Sequence, residues 1–115
     1  MDYEELNPIE RAEALLDIDS GDRDRVCTAL TRLALHDPDP EWLEGLLMAN
    51  LGNPDPWVRG VAALCLGHVA RIHGRLDLDT VIPSLERLLE DPETEGYASN
   101  AMSDIRMFVP SVGKK

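Results

Sequence analysis

Asn53-Pro54-Asp55-Pro56-Trp57-Val58-Arg59-Gly60-Val61-Ala62-Ala63-Leu64-Cys65-Leu66-Gly67 is the stretch whose reading decides the fold. It opens on a helix start: the Asp55 carboxylate can accept a bond from an unpaired backbone N–H, and Pro56 suits the first helical position. The run continues to His73, which predicts a helix over 56–73. On a helical wheel, Trp57, Val58, Val61, Cys65, Val69 and Ile72 form one broad apolar arc. Opposite lie Gly60, Ala63, Gly67 and Ala70, a stripe of small residues. A helix apolar nearly all round is a buried one. The small stripe allows another helix to approach closely, which offsets the propensity cost of two internal glycines. This helix is expected at the centre of the molecule.

The same punctuation recurs on both sides. Asn7-Pro8, Asp39-Pro40 and Asp91-Pro92 read as further capped starts, and Ser20-Gly21-Asp22 and Asp77-Leu78-Asp79 as weaker ones. Asn7-Pro8-Ile9-Glu10 also has the acidic residue of a capping box. Six helices follow, over about 8–18, 22–36, 40–51, 56–73, 79–90 and 95–109, each with an apolar stripe at helical spacing. Leu43, Leu46, Leu47 and Leu51 form one stripe; Val81, Ile82, Leu85, Leu88 and Leu89 form another. Tyr97, Ala101, Met102, Ile105 and Phe108 form the last. Short connections make successive helices antiparallel. The tail 110–115 has no stripe and is expected to be flexible.

A repeat underlies these stripes. Arg25, Ala29 and Leu30 recur as Arg59, Ala63 and Leu64, 34 positions later, and Ala101 and Met102 fit a looser third copy. Recurrence, helix pairing and turn chemistry indicate an all-α solenoid whose hairpins bury their faces against one another. The hairpins are expected at about 8–36, 40–73 and 79–109, in a single domain over 1–115.

The chain carries eleven basic and twenty-two acidic residues, a net charge of −11. Nucleic-acid binding needs clustered Lys and Arg, so this balance argues against it. An acidic surface attracts a basic protein and speeds the encounter, although acidity also serves solubility alone. The start Met1-Asp2-Tyr3-Glu4-Glu5 lacks the features of a signal peptide, and no apolar run reaches membrane-spanning length. A cytoplasmic setting without membrane contact is expected.

Chemistry finds little support. Cys65 and His68 are three apart, but no spacing matches a metal-ligand pattern. The same pair as nucleophile and base would lie in the expected core, where His68 points into the arc of Trp57, Val61 and Ile72. The carboxylates cluster at helix starts, where capping explains them. No catalytic residue, metal ligand or cofactor is assigned. Binding is better supported, and the candidate contacts lie in or near the turns: Asp37, Asp39, Glu41, Trp42, Asp55, Trp57 and Arg59. Trp is enriched at interface hot spots. Even so, core packing between hairpins is the favoured expectation for Trp42 and Trp57.

The quoted stretch resembles the second-helix signature of HEAT repeats: Asp in the turn, Arg after Val, then an Ala-rich run ending in Leu and Gly. Val81-Ile82-Pro83-Ser84-Leu85-Glu86-Arg87-Leu88-Leu89-Glu90-Asp91 is similar to a first helix, with Pro in its first turn. The resemblance implies a short right-handed α-solenoid with capping repeats at both ends, in which Arg59 bonds Asp55 or turn carbonyls. The period is shorter than is usual for HEAT repeats. The stretch from Trp57 to Gly74, and Ala101-Met102-Ser103-Asp104-Ile105-Arg106-Met107-Phe108, resemble small bacterial HEAT-type proteins of toxin–immunity loci. That resemblance implies a non-catalytic inhibitor occluding the cationic cleft of a cognate toxin. A HEAT-type scaffold or regulatory adaptor, or an enzyme or lyase-type helper on the same repeats, are the alternatives. Oligomeric state is left open.

Overall fold

Three aspartates start helices as the sequence predicts, in a computed structural model that describes residues 7–110. The helices are α1 (Arg11–Ile18), α2 (Arg23–His36), α3 (Pro40–Asn50), α4 (Pro56–His73), α5 (Leu78–Leu89) and α6 (Glu95–Phe108). Asp22 accepts from the N–H groups of Asp24 and Arg25, and Asp39 from those of Glu41 and Trp42. Asp55 accepts from the N–H of Trp57 at 2.9 Å. Pro40 and Pro56 take the first turn, where a missing N–H costs nothing. At the other end of α4, Gly74 adopts a left-handed conformation (φ 69°) and donates its N–H to Ala70 O at 2.8 Å.

Two expected caps differ. Asn7 does not start α1; Glu10 precedes it, without a side-chain cap, and the carbonyls of Asn7 and Pro8 are held by Arg32 of α2. Asp91 accepts from Glu93 N–H and closes a separate turn, while α6 begins after Thr94. Thr94 is fully buried and its hydroxyl donates to Leu88 O at 2.8 Å, so the turn is pinned from inside. Pro83 lies inside α5 rather than in its first turn, on the exposed side. The expectation for the tail falls, beyond Pro110, outside the described residues.

The helices form three hairpins, α1–α2, α3–α4 and α5–α6, and the second helices carry the stack. α4 packs on both α2 and α6, whereas α1, α3 and α5 scarcely meet one another. Among the described residues there is no strand. The buried residues make one apolar cluster drawn from all six helices. The close approach expected of the small stripe occurs between α4 and α6. A Cβ at Gly60 would collide with the Tyr97 ring, and one at Gly67 would lie 3.3 Å from Ala101 Cα and 2.9 Å from Asp104 Oδ2.

Arginines tie the hairpins together at their turns. Arg59 donates to the carbonyls of Asn53 and Pro54 in its own hairpin and reaches Asp91 of the next at 3.4 Å. The first hairpin divides those two tasks. Arg25 bonds Asp17 of α1 at 2.8 Å, and Arg23 grips Asp55 of the next hairpin with two bonds, at 2.7 and 3.2 Å. The recurrence of Arg25 and Arg59 therefore marks an equivalent place in successive hairpins.

Candidate partner-binding surface

The seven turn residues fall into two groups at opposite ends of the hairpins. Asp37, Asp39, Glu41 and Trp42 lie where α1 begins and α2 gives way to α3; Asp55, Trp57 and Arg59 lie at the α3–α4 turn. Most are committed within the fold. Asp37 takes a two-pronged bond from Arg11 at 2.7 and 2.8 Å, and only 7% of its side chain is exposed. Trp42 is half-buried beneath the Arg11 guanidinium, 4.0 Å from the ring centroid. Asp39 and Asp55 are caps, Asp55 also holding Arg23, and Arg59 bonds turn carbonyls and Asp91 rather than Asp55. Glu41 is well exposed and meets Arg75 at 3.0 Å. The bonds from these arginines hold Asp37 and Asp55 below the usual aspartate range.

Trp57 departs from the expected core position. Half of it, 51%, is exposed, with Arg23 over the ring at 5.2 Å. The reason is the orientation of α4. Val58, Cys65 and Val69 face the core together with the small stripe, so the rest of the arc turns outward. Trp57, Val61, Leu64, His68 and Ile72 follow one another at helical spacing, and every one keeps some exposure. A mainly apolar stripe thus lies open along the central second helix. The sequence displayed most of this stripe, but a wheel does not say which side a neighbour covers.

His68 accordingly sits at the border and not in the core. Its Nδ1 is 3.0 Å from Arg71 Nη2, and burial, followed by the Arg71 charge, lowers its pKa. Cys65 is fully buried and pairs with the Thr31 hydroxyl at 3.8 Å; burial pushes its thiol up to about 12. Thiol and imidazole thus have separate partners. No group of His, Cys, Asp and Glu able to hold a metal is present among the described residues.

Beside Trp57, an open groove of about 600 Å³ runs between α2 and α4. Asp24, Cys27, Thr28 and Thr31 line it from α2, Trp57 and Val61 from α4, and the Arg25–Asp17 pair completes the lining. None of the α2 residues was picked out by turn chemistry, since they lie inside a helix. At the same end of the stack stand Asp19, Asp22, Asp24, Glu90, Glu93 and Glu95, none in an ion pair among the described residues. The arginines nearby are spent on Asp17, Asp55 and Asp91.

The arrangement is that of a helical-hairpin stack with an exposed apolar stripe and an acidic end. No family model and no curated protein matches the chain. Among solved structures, it is similar to a chain in the crystal structure of a CDI complex from Cupriavidus taiwanensis LMG 19424. The two share 30% identity with a TM-score of 0.80, over 94% of this chain and 97% of the other. The chain belongs to the family of that complex component. No helix among the described residues is long and apolar enough to cross a membrane.

Proposed function

We propose that this chain is an immunity protein of a contact-dependent inhibition system, a non-catalytic inhibitor that binds a basic toxin domain in the cytoplasm and covers its cleft. The likeness to a component of a CDI complex along nearly the whole chain carries this reading. The net charge of −11 supports assigning it the inhibitor's part, because an acidic surface is drawn to a cationic cleft. The second-helix face, with its apolar stripe flanked by acidic turns, has the composition of a docking surface. Asp39, Glu41 and Trp57 are the turn residues with most surface to offer a partner. The hairpins are read as HEAT-like, supported by the 34-residue recurrence and the matching tasks of Arg25 and Arg59.

The test is co-expression with the toxin domain encoded in the neighbouring gene. Growth should be restored, and the purified proteins should form a 1:1 complex whose association slows as salt rises. Unrelieved toxicity together with no complex at low salt refutes the reading.

A further inference from the structure

Resting on that reading, we infer that the groove between α2 and α4 is the seat for an Arg or Lys side chain of the partner protein. Its stem would lie along Trp57 and Val61 and its charge would face Asp24. Three observations converge on this class of occupant.

Trp57 is a prearranged contact. Its backbone is fixed by the Asp55 cap and Pro56, and its indole by the Arg23–Asp55 pair beside it. A ring already held in place loses little freedom on binding, and large rigid aromatics of this kind dominate interface energies. The walls, from Cys27, Thr28, Thr31 and Val61, offer short side chains with apolar surface and the Thr28 hydroxyl, that of Thr31 being bonded to Cys27 O. Such walls suit the methylene stem of a long cationic residue, which buries its stem while keeping its head polar.

The charge of the occupant follows from the acidic lining. Asp24 is exposed and lies outside the ion pairs, with Asp19 and Asp22 in the turn before it. The groove's own cation, Arg25, is bound to Asp17 at 2.8 Å. A cation entering here meets the exposed part of the Trp57 indole, beside the place Arg23 takes, together with the Asp24 carboxylate, which an anionic or purely apolar group would not exploit.

The experiment measures the affinity of the neighbouring-gene toxin domain for four variants, with thermal melting as a check on folding. Trp57→Ala and Thr28→Lys should each weaken binding by about 30-fold or more, as hot-spot losses do. Asp24→Asn should weaken it less. Glu86→Gln, at an exposed position of α5, should change nothing. If Trp57→Ala and Thr28→Lys melt normally and bind as tightly as the wild type, the groove is not the seat.

Should the wild type fail to bind the toxin, the immunity reading falls and a second arm decides the groove. In a Trp42→Phe background, where emission comes from Trp57 alone, an arginine-rich peptide is titrated. A fluorescence change that is lost in Thr28→Lys upholds a cation seat; an unchanged signal overturns it.

Discussion

The two sides of α4 are built on opposite principles. Towards α6, glycines remove side chains until backbones touch: Gly60 lies under the Tyr97 ring and Gly67 against Ala101. Towards α2, side chains remain and the helices leave a groove beside a half-exposed Trp57. One side has no room for a methyl group, while the other holds a cavity of about 600 Å³. The closed seam fixes α4 against α6, and the open one leaves side-chain surface uncovered. On the proposed function the two go together, because a docking face is best held rigid from behind.

The largest effect that would break this contrast comes from filling each seam in turn. Gly67→Leu drives a branched side chain into Asp104 and the α6 backbone, and should cost about 3 kcal/mol in urea denaturation. Thr28→Phe adds as many side-chain atoms to the groove wall, where space exists, and should change stability by no more than about 0.5 kcal/mol. Equal costs would show that the two seams are packed alike.

A smaller effect separates the two places where an arginine spans a tryptophan and a carboxylate. Arg11 lies 4.0 Å from the Trp42 centroid and holds Asp37, which is nearly buried; Arg23 lies 5.2 Å from that of Trp57 and holds the more open Asp55. Arg11→Ala should therefore lower the melting temperature more than Arg23→Ala, since it strands a carboxylate that water barely reaches. The reverse order would mean that the α3–α4 turn, and not the start of the stack, depends on its clasp.

These contrasts also mark what could be read from the residues. The α4 boundaries, the caps at Asp22, Asp39 and Asp55, and the close approach along Gly60 and Gly67 all follow from local chemistry. They were legible because a cap, a proline and a small stripe each act within a few residues of themselves. The starts expected at Asn7 and Asp91 do not form for a tertiary reason: Arg32 takes the carbonyls of residues 7 and 8, and buried Thr94 fixes the later turn. The site was less legible still. The stripe from Trp57 to Ile72 is apolar in the manner of a core, and only the placement of α2, α3 and α6 decides that it stays open. Tryptophans and acidic side chains in the turns have the chemistry of contacts for a basic partner, yet Asp37, Asp55 and Arg59 are occupied with holding the hairpins together.

Acidification provides a gentler probe. The carboxyls of Asp37 and Asp55 titrate below the ordinary value of 3.8 because their arginines bond the charged form. Their contribution is complete above that value and is lost as pH falls through the lowered one. His68 acts in a higher window. Its folded pKa is below 6.5, so the unfolded chain takes up the proton first, and stability declines as pH drops from 6.5 towards the folded value. His68→Gln should flatten the upper decline and leave the lower one in place. Urea midpoints measured from pH 7 to 3 would show this, and an unchanged upper decline would assign it to another group.

The smallest effect concerns how deep the open seam reaches. Cys27 lines the groove, and its thiol is raised to about 11, chiefly by burial and secondarily by Asp55. At pH 8 about one molecule in a thousand carries the thiolate, so a disulfide reagent should modify Cys27 slowly but measurably. Cys65 lies one layer further in, against the Thr31 hydroxyl, with its thiol pushed up to about 12. It should stay unmodified in the native protein and react only through opening of the stack. Gly67→Leu should therefore accelerate Cys65 while leaving Cys27 nearly unchanged, because the damage lies on the α6 side and reaches Cys65 through unfolding alone. If Cys65 in the wild type reacts as fast as Cys27, the groove is not closed beneath Thr31, and α2 and α4 part more readily than their packing implies.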